Sequence, residues 1–364
     1  MFRDFYRGKR VFVTGHTGFK GGWLSLWLKQ LGASVFGYAL PPLPSPNLYE
    51  VVRPTSISRE TLADIRDPQA LSAALKEASP DIIFHLAAQP LVRLSYAEPY
   101  ETFETNVMGT VNLLESVRLL GMPATVVVAT SDKCYENAQW DYAYRENDPL
   151  GGHDVYSTSK AAAELAVQTY RRSFFAVDPK LGNIATVRAG NVVGGGDYAK
   201  DRIVPDCIRA LEAGEPIKVR NPKATRPWQH VLDCLSGYLT LGAALAQAPK
   251  NSPLASAFNF GPGPLANLPV KAVVEELLKS WPGKWADVSD PNQPHEASRL
   301  NLAIDKAAAQ LGWAPTWSFA EAIQQTAVWH RERHSGDREI LKFTIGQLES
   351  FTAKARANGQ TWAA

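Results

Sequence analysis

Tyr156 and Lys160 stand four residues apart in Tyr156-Ser157-Thr158-Ser159-Lys160. On a helix that spacing places both side chains on one face. There a phenol can exchange a proton with a substrate hydroxyl while the lysine's charge eases the loss of the phenol proton. The pair opens an alanine-rich run, Ala161-Ala162-Ala163-Glu164-Leu165-Ala166, and follows an apolar stretch, Ala124 to Thr130, that ends in polar Ser131-Asp132-Lys133. Open α/β sheets build their sites at such strand C-termini. Far upstream, Thr14-Gly15-His16-Thr17-Gly18-Phe19-Lys20-Gly21 follows a short apolar strand, Arg10 to Thr14, and precedes an apolar helical run from Trp23. Strand, glycine-rich turn and helix together make a phosphate cradle. Gly15 permits the tight turn, Gly18 lets the backbone approach a pyrophosphate, and Gly21 allows close helix–strand packing. The helix N-terminus adds N–H groups and a positive dipole. No Gly-Lys-Ser/Thr ends the run, which argues against a P-loop. Singly, a glycine-rich loop and a Tyr-x-x-x-Lys are common; their order and context point to a dinucleotide held beside a hydroxyl that undergoes redox chemistry.

The elements that must position these residues follow a βαβ rhythm. A helix from about Gly22 to Leu31 leads to a second strand, Ala33 to Tyr38, and then a proline-rich loop, Pro41 to Pro46. Ala63-Asp64-Ile65-Arg66-Asp67 reads as a short strand end. Pro68 to Ala78 reads as a helix with proline in its first turn, where a missing N–H costs nothing. Asp81 to Leu86 reads as a buried strand, and Pro99 to Leu120 as one long helix. The pattern predicts an α/β fold, a Rossmann-type doubly wound parallel sheet over residues 1–187. After Arg188 glycine, proline and charge increase, which predicts a smaller mixed α/β substrate lobe over 188–364. Within it a helix, Val231 to Ala248, and a strand, Ala257 to Phe260, are expected to return to the first lobe.

Composition narrows the partners. A net charge of +2 gives no case for nucleic acid or an anionic membrane, and no apolar run is long enough to span a bilayer. The N-terminus does not read as a signal peptide. Cys134, Cys207 and Cys234 are odd in number and far apart, with neither metal spacing nor a disulfide framework. The expectation is a reducing, cytoplasmic setting and no metal. Cys134 beside the candidate site, and Trp281, Trp285 and Trp313, read as packing.

With these motifs in place, the chain resembles the extended short-chain dehydrogenase/reductase family over nearly its full length. The cofactor loop, His85-Leu86-Ala87-Ala88, Tyr156/Lys160 and Asn191 fall in that family's order. More narrowly it is similar to the nucleotide-sugar 4,6-dehydratases, and most to their CDP-glucose branch. Four stretches carry this: Gly15 to Trp23, Thr130-Ser131-Asp132-Lys133-Cys134-Tyr135, Arg226-Pro227-Trp228-Gln229-His230-Val231, and Pro294-His295-Glu296-Ala297.

The resemblance implies NAD as cofactor and CDP-glucose as substrate, with water lost after transient oxidation at C4. It implies that Tyr156 takes the C4 hydroxyl proton, Lys160 holds the nicotinamide ribose and lowers the Tyr156 pKa, Ser131 bonds the C4 oxygen, and Asp132 protonates the departing C6 hydroxyl. Most relatives carry Glu after that Asp. Here Lys133 stands there, as C5 base or as a partner of Asp132 or the pyrophosphate. Gly15, Thr17, Gly18, Phe19, Gly21, Asp64, Ile65, Leu86, Ala87 and Ala88 match cofactor positions. Asn191, Arg202 and Arg226 match substrate positions, with His295 and Arg299 as further candidates. Arginine suits a diphosphate through its planar donor fork. The acidic residue usual about 20 residues after the loop of an NAD enzyme is missing: none occurs between Gly21 and Glu50. Apolar residues on more than one face of the Pro99–Leu120 and Tyr156–Ser173 helices, such as Val107, Val111, Leu114 and Val117 on the first, predict a second buried face, and the resemblance implies a homodimer through a four-helix bundle, or a tetramer. An epimerase or reductase of the same fold, a dehydratase for a dTDP-, GDP- or UDP-hexose, and a non-catalytic NAD-binding regulator are the other readings. Asp132 argues against an epimerase, and Tyr156 with Lys160 against a regulator.

Overall fold

A computed structural model describes residues 2–289, 300–336 and 339–364. Its centre is a seven-stranded parallel sheet: β1 (Arg10–Thr14), β2 (Ser34–Ala39), β3 (Arg59–Leu62), β4 (Ile82–His85), β5 (Thr125–Ala129), β6 (Ile184–Arg188) and β7 (Ala257–Asn259), in the spatial order 3-2-1-4-5-6-7. The reversal beside β1 is the switch point at which such sheets open a crevice.

The sheet is buried on both faces, so its central strands are apolar throughout. Alternate residues serve opposite layers. Val11, Val13, Ile82, Phe84, Val127 and Val187 pack against α1 (Phe19–Gln30) and α5 (Val231–Gln247). Phe12, Ile83, Val126, Val128 and Ile184 pack against α2 (Pro68–Ala78), α3 (Gly109–Leu119) and α4 (Val155–Tyr170).

Several boundaries differ from the sequence reading. α1 starts at Phe19, three residues early, because Gly18 is its N-cap and the glycines continue as helix. Ala63–Asp67 is not strand: β3 ends at Leu62 and pairs only with β2. As the sheet's edge it is polar, which hides it in the pattern, while Asp67 caps α2 through the N–H groups of Gln69 and Ala70. The long helix is interrupted: Pro99–Phe103 leads through a π-turn, Glu104–Met108, into α3. Such turns mark functional sites. This one aims Asn106 inward, where its amide accepts from Gln89 N and donates to Ser159 Oγ at 2.8 Å. Leu114 and Val117 face the core, whereas Val107 and Val111 are half-buried.

Residues beyond Arg188 serve two cores. The helices Ile203–Glu212, Val270–Ser280 and Phe319–His334 surround Ile208, Val219, Trp228 and Leu277. The helix Ile340–Ala357 and Trp362 turn back to the N-terminus, where Trp362 stacks on Phe2 with centroids 4.9 Å apart. Trp313 is fully buried and donates to Ser236 Oγ, and Trp281 and Trp285 pack at the edge of the second core. All three cysteines are buried and free.

Candidate active site

The three motif glycines are needed for three different reasons. Gly15 has φ +75°, and a Cβ there would lie 2.8 Å from Ala87 N. A Cβ on Gly21 would lie 2.1 Å from Gly15 O. On Gly18 the nearest heavy atom would be Gly15 O at 3.4 Å, an ordinary contact. The protein therefore leaves Gly18 room that a ligand can use. Gly18 caps α1 with no side-chain hydrogen bond, and the first turn of this 12-residue helix lines the cleft. These features fit a dinucleotide pyrophosphate.

The Leu86–Ala88 segment is tied to the same loop. Thr14 Oγ1 accepts from Leu86 N and Ala87 N, both at 3.1 Å, and contacts His85 Nδ1 at 2.7 Å. His85 Nε2 reaches Thr110 Oγ1 at 3.1 Å. Burial, followed by the charge of Lys160, lowers the His85 pKa to about 3, so the ring is a neutral strut.

Tyr156 and Lys160 lie on α4, whose N-cap, Asp154, accepts from Ser157 N. Both side chains are buried. Burial, reinforced by Lys20, lowers the Lys160 pKa to about 8, and Nζ reaches Ala129 O at 3.4 Å. Burial raises the Tyr156 pKa to about 12, while hydrogen bonding to Ser131 and the charge of Arg202 pull it down. Of these effects burial prevails.

Beyond β5 the chain makes one tight turn, Asp132–Cys134, capped by Ser131 through Lys133 N. Ser131 Oγ donates to Asp132 Oδ1 at 3.0 Å. Asp132 Oδ2 is buried and, among the described residues, without a hydrogen-bond partner. It lies against Gly190, where a Cβ would come within 1.8 Å of it. Asp132 lines the cavity beside Ser131 and Lys133. Burial pushes the Cys134 thiol far up, which leaves it a packing group.

One cavity of about 1480 Å³ joins these parts. It is lined by Gly15, Thr17, Gly18, Phe19 and Gly21, by Asp64, Ile65 and Leu86 to Ala88, by Ser131, Asp132, Lys133, Tyr156 and Lys160, and by Asn191, Arg202 and Arg226. His295 and Arg299 lie outside the described residues. Asn191 has φ +39° and its carbonyl accepts from Gln229 N. Arg202 pairs with buried Asp197 at 3.4 Å. Arg226 is buried and donates to Thr225 O.

At the end of β2 the cavity meets Ala39 and Leu40, and Thr17 Oγ1 donates to Leu40 O. Nearby carboxylates have other partners. Asp64 is forked to Arg66, and Glu60 holds His16, Tyr49 and Arg53. No carboxylate replaces the missing acidic residue there among the described residues.

Some lining residues escaped the sequence reading. Lys20 sits inside the glycine motif and acts on Lys160; a charge within a small-residue loop was the available signal. Asp197 follows three glycines, of which Gly195 is clamped between Trp23 Nε1 on its carbonyl and the Trp329 ring on its Cα. Nothing local announces that packing.

Fold and site together define a Rossmann-type enzyme of the short-chain dehydrogenase/reductase kind, with a Tyr/Lys pair beside a dinucleotide cradle. The chain belongs to the GDP-mannose 4,6-dehydratase family, whose model matches residues 12–326. It is 48% identical over 344 residues to CDP-glucose 4,6-dehydratase of Salmonella typhimurium, covering 93% of this chain and 95% of that protein. It is 28% identical to UDP-glucose 4-epimerase of Mycolicibacterium smegmatis, covering 89% and 99%. Among solved structures, MoeE5 in complex with UDP-glucose and NAD superimposes with a TM-score of 0.75 at 26% identity, covering 89% and 99%.

Proposed function

We propose that this chain is a CDP-glucose 4,6-dehydratase, a hydro-lyase that converts CDP-D-glucose to CDP-4-dehydro-6-deoxy-D-glucose. One observation carries the reading: an acid and a lysine, Asp132 and Lys133, line the same cavity as Tyr156, Lys160 and the dinucleotide cradle. The 48% identity to a CDP-glucose 4,6-dehydratase supports the nucleotide.

The cradle at Gly18, the Leu86–Ala88 segment, Asp64 and Ile65 would hold NAD, with Lys160 at its ribose. Bound NAD supplies the acceptor for the C4 hydride and the hydride returned to C6, so the net change is loss of water. Tyr156 takes the C4 hydroxyl proton while Ser131 bonds the C4 oxygen. The charge of Lys160, one helical turn along α4, would favour the phenolate against the burial that raises its pKa. The ketone at C4 acidifies the C5 proton, which Lys133 accepts in its neutral form. Asp132 gives its proton to the C6 hydroxyl, which leaves as water when the C–O bond breaks, and Lys133 later returns a proton to C5. Arg202, Arg226 and Asn191 would anchor the diphosphate and hexose, with His295 and Arg299 as further candidates.

We place dinucleotide binding in residues 1–187 together with 231–260, and sugar-nucleotide binding in the remainder. The 99–119 and 155–170 helices expose Tyr100, Met108 and Leu165. We propose that these faces meet in a homodimer, in which apolar area leaves water; a monomer in sedimentation at micromolar concentration would contradict it. Free buried cysteines suit a cytoplasmic enzyme, and the product suits deoxysugar and surface-polysaccharide synthesis.

The test is incubation with NAD and, in turn, CDP-, dTDP-, UDP- and GDP-hexoses, read by mass spectrometry. Loss of water from CDP-glucose is expected to be fastest. An epimerase would return a product of unchanged mass; Asp132 disfavours that reading, because an epimerase has no C6 leaving group to protonate.

A further inference from the structure

A buried ion pair lies behind the site. Glu164 is one helical turn beyond Lys160 on α4, and it is buried together with Arg188 at the end of β6. The guanidinium forks onto the carboxylate, Nε to Oε1 and Nη2 to Oε2, both at 2.9 Å. Thr130 Oγ1 donates to Oε1 at 2.5 Å and Thr186 Oγ1 to Oε2 at 2.8 Å. Arg188 Nη1 continues to Tyr135 OH at 2.8 Å and to Glu146 O at 3.0 Å.

These bonds converge from every strand end that bears a reacting group. Thr130 directly precedes Ser131. Tyr135 closes the turn that carries Asp132 and Lys133. Arg188 leads into Ala189, Gly190 and Asn191. We propose that Glu164, clamped by Arg188, is a positioning residue that fixes α4 to the Ser131–Lys133 turn and serves as the counter-charge that keeps Lys160 an ammonium. The proposal rests on the reading of Tyr156 and Lys160 given above.

Stability alone does not account for the pair, because an apolar pair of similar volume often holds a fold as well or better. The charges around Lys160 give it a task. Burial and Lys20 both disfavour the ammonium, and Glu164 is the carboxylate that opposes them. Cys134 acts in the same direction as Glu164, but burial keeps its thiol neutral. His85 is also neutral. Removing the Glu164 charge therefore lowers the Lys160 pKa, and removing the Arg188 cation with it offsets part of that fall.

The test compares wild type with Glu164→Gln and with the neutral pair Glu164→Gln/Arg188→Met, which avoids stranding a buried guanidinium. Competitive acetylation of lysines with acetic anhydride, read peptide by peptide, follows the titration of Lys160 without any turnover. The pH profile of kcat on CDP-glucose is measured alongside. In the folded double variant Lys160 is expected to titrate lower by at least about half a pH unit, roughly threefold in its proton equilibrium. The alkaline limb of kcat should move by the same amount, with KM changed less than about twofold, because no substrate contact is lost. A folded double variant with unchanged Lys160 titration would overturn the proposal. So would a double variant that does not fold, since the pair would then serve the fold. If wild type dehydrates no nucleotide sugar while Lys160 still shifts in the labelling, the functional reading fails and this one stands.

Discussion

Tyr156→Phe should lose turnover by roughly 10³-fold or more while its affinity for the nucleotide sugar stays within about twofold. The substitution removes one oxygen. The phenol is buried against Ser131, so the ring of phenylalanine fills the same space and leaves α4 undisturbed. What disappears is the acceptor for the C4 hydroxyl proton, and with it the first step. Substrate binding draws on other groups, the arginines and Asn191 among them. Turnover by mass spectrometry and binding by calorimetry separate the two effects. Wild-type turnover in the variant would remove Tyr156 from the chemistry, and lost binding would make it a substrate anchor.

Asp132→Asn should stop the reaction at a later point. Asparagine keeps the shape and can still accept from Ser131 Oγ, but it has no proton to give a leaving hydroxyl. Oxidation at C4 should survive, so a 4-keto hexose and the absorbance of reduced nicotinamide should build up in a single turnover. Overall rate should fall by roughly 10²–10⁴-fold, the usual cost of a missing general acid. A 6-deoxy-6-fluoro substrate, whose leaving group needs less protonation, should recover part of it. With neither accumulation nor recovery, the acid would have to be sought elsewhere in the cavity.

What was legible in the sequence was local. Gly15, Gly18 and Gly21 report their own backbone needs, and each is found where the turn, the open approach or the close packing requires it. Tyr156 and Lys160 declare their shared face by spacing alone. Ser131-Asp132-Lys133 follows an apolar run whose end could only be a strand terminus. Illegible were the features that distant segments create together. Glu164 and Arg188 are 24 residues apart and look like ordinary surface charges in sequence. The partner that fixes Arg202, Asp197, hides in a glycine-rich loop. β3 lies just before the strand end read at Ala63–Asp67, because an edge strand needs no apolar alternation to mark its bounds. Arg202 and Ser131 bear on the Tyr156 phenol because the fold lays one loop over another, which no spacing rule encodes.

The most direct measurement is the reaction of CDP-glucose with the protein and NAD in deuterated water, followed by mass spectrometry and proton NMR of the sugar. Elimination through a C5 base predicts a product lighter by one water that carries one solvent deuterium at C5. A product of unchanged mass, or one lacking deuterium at C5, would contradict the account.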